Sequence, residues 1–317
     1  MATNATRPRT AVSSSLPPST TDASAAAKCK RASGGEDGVD RLSALPDALL
    51  HSVMSFLPAP QAVQTCALSR RWRDLWRSNP CLDIDSGVFF EPNSGADPPA
   101  AVAVAALHNK RPWERLEDFT TKLLQLHSAP TLDMFRLRMS IAHHEIYESR
   151  VRVAELRDHV VSWILRGASY QPAALEVNLR FVAAHVRMPP LGSGGASGRL
   201  RRLSLSGVLL DGGFADHLRT GCPVLEDLEL NLCDLDFQEL VSGTLRTLTV
   251  GDCFARRRPP EEEKWCVRVT APCLDTVGYR CRLGMGWSGL RQVKLAGLEA
   301  GLQRVVTAGH QVMLMIL

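Results

Sequence analysis

A short stretch of the chain carries apolar residues at the spacing of one face of an amphipathic helix. The residues that recur at every fourth position are Leu45, Leu49, Val53 and Leu57. Pro46 suits the first turn of such a helix, where its missing N–H costs nothing, and Pro58 ends the helix. The same pattern predicts two further short helices, at residues 61–68 and 70–77, with Ser69 as the N-cap of the third.

The three predicted helices form a module too small to stabilise itself on its own core. We place Cys66, Trp72 and Leu75 in that core. Leu45 and Pro46 precede the body of the first helix, where a core role is less natural. Because the apolar content exceeds what three short helices can hide from one another, we expect a partner surface to cover part of the module.

The pattern changes beyond residue 112. Two amphipathic helices are predicted there, at residues 115–127 and 151–165, and a template LxxLxLxx(N/C)xL then recurs, which is typical of leucine-rich repeats. Copies of the template or of its strand core begin at Leu132, Leu175, Leu200, Leu225, Leu245, Leu274 and Leu290. The interval from Leu274 to Leu290 is 16 residues, shorter than the ~20–29 residues of a full repeat.

The template predicts the architecture of this second region. Residues two apart on a strand point to the same side, so the LxL pair enters the interior and neighbouring strands form one curved parallel sheet. Cys233 and Cys253 occupy the turn after the strand, where a small buried donor satisfies backbone carbonyls. Crossovers at residues 214–220 and 237–241 return the chain. The outward strand positions, predicted to face a target, are Arg202, Ser204, Asp227, Glu229, Arg246, Thr247, Thr249, Gln292 and Lys294.

Composition and charge exclude several classes of protein. The chain has 317 residues, 45% of them hydrophobic and 22% charged, and its net charge of +4 is too slight to argue for a nucleic-acid partner. No apolar run reaches the ~18 residues of a membrane-spanning helix. The nine cysteines are odd in number and include no CxxC pair, so we predict small buried thiols in a reducing compartment rather than disulfides or zinc.

The sequence lacks the common catalytic motifs. It has no Gly-rich phosphate loop followed by Lys-Ser/Thr and no GxSxG, and residues 143–145 read His-His-Glu rather than HExxH. We therefore predict no catalytic residues, no metal and no cofactor.

Composition also predicts the character of the ends and connections. Residues 1–39 are rich in Ala, Ser, Thr, Pro and Gly and should be disordered, although a transit peptide has a similar composition and residues 28–31 are similar to a weak nuclear signal. Residues 85–112 are predicted as a linker or loop, and residues 113–317 as the repeat region. The chain ends on the apolar run 312–317 without a polar capping repeat, which suggests a truncated product or an unusual end.

Three segments of the first module carry a motif in a fixed order: residues 45–50 (LPDALL), 56–57 (FL) and 66–76 (CALSRRWRDLW). This module resembles the F-box. Residues 222–230 (CPVLEDLEL) are similar to plant F-box proteins with leucine-rich repeats. The resemblance predicts an α+β or α/β solenoid, with a three-helix F-box at residues 40–84 followed by a degenerate, curved leucine-rich-repeat domain with a parallel sheet.

The resemblance implies a substrate receptor that is not itself an enzyme. Its F-box would dock on the Skp-family adaptor of a Skp–cullin–F-box ubiquitin ligase, a cullin–RING ligase, and its repeats would hold an unknown target protein in the nucleus or cytoplasm. By position, the implied adaptor contacts are Leu45, Pro46, Leu49, Leu50, Val53 and Leu57, with Val63, Leu68 and Trp72 adding to the contact or bracing it. Neither a membrane nor a nucleic acid is among the implied partners.

Two alternatives stay open at this point. The chain could be an interaction scaffold that binds the adaptor without promoting ubiquitin transfer. It could also bind nucleic acid through four arginines of the third predicted helix, Arg70, Arg71, Arg73 and Arg77. Because Asp74 interrupts that run and no recognition-helix motif accompanies it, a solvated basic face is the favoured interpretation.

Overall fold

The computed structural model describes residues 42–90, 111–140, 153–180, 186–191, 198–255, 266–280, 292–296, 304–308 and 313–316. The predicted disordered tail at residues 1–39 and most of the predicted linker at residues 85–112 lie outside these ranges. Within the ranges, no helix has the length and apolar character needed to cross a membrane.

Among the described residues, helices form most of residues 47–78 and recur between strands further along. The α-helices are α1 (Asp47–Met54), α2 (Ala59–Gln64), α3 (Gly87–Phe90), α4 (Pro112–Leu126), α5 (Val153–Ser169) and α6 (Gly212–Gly221), and 3-10 helices span Thr65–Ala67 and Leu75–Ser78. The helices predicted at residues 115–127 and 151–165 correspond to α4 and α5, and the crossover predicted at residues 214–220 corresponds to α6. Asp211 caps α6 by accepting a hydrogen bond from Phe214 N at 3.0 Å.

The strands follow at short intervals. In chain order they are β1 (Cys81–Asp85), β2 (Met134–Ser140), β3 (Ala174–Arg180), β4 (Val186–Arg187), β5 (Arg202–Ser206), β6 (Val208–Asp211), β7 (Asp227–Asn231), β8 (Asp234–Asp236), β9 (Glu239–Val241), β10 (Thr247–Gly251), β11 (Phe254–Ala255), β12 (Cys266–Thr270), β13 (Thr276–Arg280), β14 (Gln292–Ala296), β15 (Arg304–Ala308) and β16 (Met313–Ile316).

The described strands form three sheets. The largest has eight strands in the order β1-β2-β3-β5-β7-β10-β13-β15, and two four-stranded sheets have the orders β11-β8-β6-β4 and β16-β14-β12-β9. Adjacent strands pair in parallel in each sheet. The predicted parallel sheet is therefore confirmed, but the chain divides its strands among three sheets rather than one.

The leucine template determines the register of the eight-stranded sheet. The residues that lie opposite one another on β3, β5, β7, β10 and β13 are Leu175, Leu203, Leu228, Leu248 and Val277. All five are buried in the main core. Because side chains alternate between the two faces of a strand, the residues between the buried positions form the outward face.

The template cysteines behave as predicted. Cys233 Sγ lies 3.4 Å from Leu205 O and 3.3 Å from Asn231 O. Cys253 Sγ lies 3.6 Å from Leu230 O one repeat later. A hydrogen bond to Cys233, together with burial, raises the pKa of the Cys253 thiol well above its usual range, so this thiol keeps its proton.

The first module departs from the predicted three helices. The third predicted helix, residues 70–77, is wrong: residues 70–74 form turns and only Leu75–Ser78 is helical, with 3-10 geometry. Ser69 does not act as its N-cap because the Ser69 hydroxyl pairs with the Ser43 hydroxyl at 2.9 Å. The second predicted helix is divided into α2 and the 3-10 helix Thr65–Ala67.

The last copy of the template and one crossover are also placed differently. The strand predicted after Leu290 is β14, which pairs with β12 and β16 in a four-stranded sheet, and β15 completes the described part of the eight-stranded sheet. The 16-residue interval before Leu290 is too short to bring the chain back to that sheet. Residues 237–241, predicted as a crossover, include β9 of the same four-stranded sheet.

Candidate functional site

The first module has a small core of its own. Its buried residues are Leu50, Met54, Ala62, Trp72 and Leu75, with Leu45, Leu57 and Trp76 packed against them. Leu50 is fully buried and presents no surface to a partner in this arrangement. Leu50 and Met54 are four residues apart on the inner face of α1, whereas Leu49 is rotated by about 100° onto the outer face. Trp72, 3% exposed, can only brace the surface from inside.

Cys66 was predicted in the core of the module and is exposed. It lies in the 3-10 helix Thr65–Ala67, which has about 3.0 residues per turn instead of 3.6. The tighter turn changes the direction of the side chains that follow α2. Leu75, by contrast, is buried as predicted.

The outer face of α1 is an exposed apolar surface. Leu49 and Val53, 51% and 46% exposed, lie four residues apart on one side of α1, and Phe56, 86% exposed, lies in the turn that follows the helix. Pro46, at the N-cap of α1, is also exposed. We call Leu49, Val53 and Phe56 the α1 apolar face.

Two further exposed leucines lie on the same module. Leu42 is 57% exposed and Leu68 is 64% exposed. The two segments that carry them are joined because Ser43 and Ser69, the residues that follow them, are hydrogen-bonded at 2.9 Å. The chain around Ser43 is also held by Arg71, which donates to Ser43 O and, at 2.6 Å, to Asp47 Oδ1.

The structure thus places the nine predicted adaptor-contact residues in three groups. Pro46, Leu49, Val53 and Leu68 are exposed, Leu45, Leu57 and Val63 are half-buried, and Leu50 and Trp72 are buried. Leu42 and Phe56 are exposed apolar residues of the same module that the sequence did not predict as contacts. Phe56 could have been found as a large apolar residue that lies between the predicted helix and Pro58.

The module is continuous with the repeat region. Ala59 of α2 is buried in the main core, and the half-buried Val63 packs against that core rather than against the module's own core. Trp76 contacts both cores. Arg77 O accepts hydrogen bonds from the backbone N–H groups of Ser128, at 2.8 Å, and Ala129, at 3.2 Å. Part of the core that the small module lacks therefore comes from the same chain.

The first part of the predicted linker is ordered. Asp85 belongs to β1, the first strand of the eight-stranded sheet, and α3 follows directly. Phe89 of α3 packs on Phe119 of α4 with ring centroids 5.5 Å apart, and Phe89 O accepts a hydrogen bond from Arg115 at 3.0 Å. These contacts hold the residues after the F-box region against the repeat region.

Charged residues cover the outward face of the sheet at β1 to β3. Arg136 donates to Glu176 at 2.6 Å and to Asp83 at 3.1 Å, and Arg138 donates to Asp83 at 2.9 Å. Burial raises the pKa of Asp83, and the positive charges of Arg138 and Arg136 oppose that rise. The charges at this end of the sheet are thus largely balanced by one another.

The predicted target-contact residues do not all share one face. Arg202, Ser204, Asp227, Glu229, Thr247 and Thr249 occupy outward positions of β5, β7 and β10. Arg246 directly precedes β10, is exposed, and lies 3.7 Å from Asp275. Gln292 and Lys294 are on β14 of a different sheet, so their predicted place beside the others is wrong. The outward residues of β5 and β7 lie side by side. Arg202 donates a hydrogen bond to Asp227 at 3.1 Å, and Ser204 donates one to Glu229 at 3.3 Å.

The described residues contain no group of three or more His, Cys, Asp or Glu side chains that could hold a metal ion. Cys222, Cys233 and Cys253 are buried, as predicted, whereas Cys273, like Cys66, is exposed.

Comparison with known proteins gives the same picture as the geometry. A family model for the F-box domain matches residues 42–83. The chain is 31% identical over 247 residues to the MEIOTIC F-BOX protein MOF of Oryza sativa subsp. japonica, covering 75% of this chain and 45% of that protein. It is 28% identical over 250 residues to an F-box/LRR-repeat protein of Arabidopsis thaliana (67% of this chain, 46% of the relative) and 29% identical over 215 residues to an FBD-associated F-box protein of the same plant (62% and 46%).

The chain spans about half the length of these curated relatives. No solved structure matches it significantly. The matched F-box model covers the module with the α1 apolar face, and the matches to the relatives extend beyond it into the repeat region. The chain therefore carries an F-box domain and is a homologue of the plant F-box/LRR-repeat and FBD-associated F-box proteins.

Proposed function

We propose that this chain is a substrate receptor of a Skp–cullin–F-box ubiquitin ligase. Its F-box docks on a Skp-type adaptor, its repeat region holds a target protein, and it acts in the nucleus or cytoplasm. The observation that carries the proposal is the α1 apolar face, which lies within the matched F-box and is left uncovered by the rest of the described chain. An exposed apolar surface of this kind is typical of a protein interface.

The exposed apolar side chains supply part of the free energy that docking requires. Covering the five exposed side chains Leu42, Leu49, Val53, Phe56 and Leu68 contributes on the order of 5–10 kcal/mol. Association costs roughly 4–15 kcal/mol. The half-buried residues Leu45, Leu57 and Val63 and the exposed Pro46 therefore add contact area that the complex needs.

Ion pairs within the module argue against nucleic-acid binding. Arg71 pairs with Asp47 at 2.6 Å and Arg77 with Asp74 at 3.5 Å, so two of the four arginines of the basic run already face a carboxylate. The apolar face, by contrast, has no partner within the described chain. These contacts favour protein docking over phosphate binding.

The packing of the module on the repeat region supports the receptor role. The contacts of Ala59, Trp76 and Arg77 hold the docking surface and the eight-stranded sheet in one continuous structure. A target bound to the sheet would then be kept near the ligase, which raises its effective concentration. In this proposal the chain makes and breaks no bonds itself.

The test is binding of the full chain to a purified Skp-type adaptor. Leu49→Asp and Val53→Asp should each weaken binding by about 100-fold, because each places a charge in the centre of the apolar interface. Leu126→Asp and Leu165→Asp are matched controls, since these leucines are 49% and 42% exposed outside the F-box, and they should bind as the unchanged chain does. Full binding by the two α1 variants would overturn the proposal.

A second measurement separates the receptor from the scaffold. The adaptor-bound chain is added to a reconstituted cullin–RING ligase together with a target that binds the repeat region. A receptor increases ubiquitin transfer to that target, whereas a scaffold holds the target without increasing transfer.

A further inference from the structure

A polar depression of about 290 Å³ lies on the outward face of the eight-stranded sheet, above β5. It forms because two residues of β5, Ser204 and Ser206, are short and their neighbours on the adjacent strands are longer: Ser204 lies between Glu176 and Glu229, and Ser206 lies between Asn178 and Asn231. Its volume corresponds to about ten water molecules at ~30 Å³ each. That space accommodates one side chain with its adjoining main chain.

The charged groups that line the depression are matched within this chain. Arg136 is bonded to Glu176 at 2.6 Å, and Arg202 is bonded to Asp227 at 3.1 Å. The lining itself holds two guanidinium groups, of Arg136 and Arg202, and two carboxylates, of Glu176 and Glu229. A charged ligand group would be attracted by one sign of charge and repelled by the other. Its electrostatic interaction would therefore not compensate the free energy lost on removing its hydration shell. The depression is therefore suited to an uncharged polar group.

One lining residue has an acceptor that the described residues do not satisfy. Asn178 Oδ1 is buried and has no hydrogen-bond partner among the described residues. An unsatisfied buried acceptor is unfavourable, so a ligand N–H at this position would be stabilising. Asn231, two strands away on the same row, adds a second amide to the lining, and the hydroxyls of Ser204 and Ser206 lie between the flanking residues.

We propose that this depression binds the primary amide side chain of an asparagine or glutamine in an extended segment of the target protein. A primary amide has two N–H donors and one carbonyl acceptor, so it can donate to Asn178 Oδ1 and accept from a lining donor at the same time. The proposal rests on the proposed function, because it specifies what the repeat region recognises in its target.

The test uses the full chain immobilised through a Skp-type adaptor and a random library of displayed peptides. Peptides retained by the unchanged chain should be enriched in Asn or Gln at one fixed position. Ser204→Gln fills the depression and should weaken these peptides at least about tenfold. Thr276→Gln introduces the same side chain on the same face outside the lining, and it should leave binding unchanged.

A second variant tests the recognised chemistry directly. Asn178→Asp replaces the amide with a carboxylate of the same shape and should shift the enrichment from Asn and Gln to Lys and Arg. Enrichment of charged side chains by the unchanged chain, or retention of no peptide that Ser204→Gln weakens, would overturn the inference. A chain that cannot be immobilised through the adaptor instead contradicts the proposed function, so the two failures are distinguishable.

Discussion

Three successive repeats place a residue with positive φ directly after the strand of the eight-stranded sheet. Gly207, Leu232 and Asp252 have φ values of 73°, 52° and 43°. Each precedes the buried turn position of its repeat, occupied by Val208, Cys233 or Cys253. The left-handed conformation lets the chain leave one sheet and enter the next, and glycine adopts it without steric cost.

Gly207 is required for a second reason. A Cβ atom at this position would lie 1.8 Å from Leu179 O, a backbone atom of the neighbouring strand. We expect Gly207→Ala to reduce the free energy of unfolding by about 3 kcal/mol or more, measured by urea denaturation. Gly212→Ala is the control: a Cβ there meets nothing within 4 Å, and its effect should stay below about 1 kcal/mol. Equal effects of the two substitutions would contradict this explanation.

The end of α4 contains a titratable group in a buried position. His127 is the C-cap residue of α4, is 5% exposed, and packs edge-on against Tyr170 with ring centroids 5.2 Å apart. Burial lowers the pKa of His127 to about 4, and the positive charge of Arg166 adds to the effect. The folded chain therefore resists protonation of this ring.

The depressed pKa predicts how stability depends on pH. Below the ordinary pKa of 6.5 the unfolded chain binds a proton that folded His127 does not, so stability is full above pH 6.5 and is lost as the pH falls towards 4. The loss amounts to about 3 kcal/mol for this group. His127→Phe keeps an aromatic ring against Tyr170 and should remove that part of the slope between pH 4 and 7 in urea denaturation. A slope unchanged by the substitution would contradict the prediction.

At the scale of the whole molecule, the F-box region and the repeat region share one core. Ala59 of α2 is 3% exposed within the main core, together with residues of the eight-stranded sheet. Ala67, a few residues later, is exposed. These two alanines form a matched pair, one at the junction and one away from it.

The shared core predicts coupled stability. Ala59→Asp buries a charge at the junction and should lower the free energy of unfolding by several kcal/mol, with faster amide hydrogen exchange in β1 and β2 as well as in the F-box. Ala67→Asp should change neither quantity appreciably. Faster exchange confined to α1 and α2 in the Ala59 variant would show that the two regions unfold independently.

Local patterns in the sequence were sufficient to predict several features of the structure. The four-residue spacing on α1, the LxL pairs of the strands and the buried cysteines after β7 and β10 agree with the structure. Each depends on periodicity within one segment, since a helix or strand repeats its buried side at a fixed interval. The F-box motif itself is a linear order of residues, so it too could be identified without coordinates.

Other features depend on residues that are distant in the sequence, and only the tertiary structure decided them. Leu50 is buried while Leu49 is exposed because Trp72 and Leu75 pack against one face of α1. The division of the strands into three sheets depends on which segment each strand meets, as the pairing of β14 with β12 shows. The periodicity of a segment indicates which side of the helix or strand is apolar. Which element covers that side depends on the folded chain as a whole.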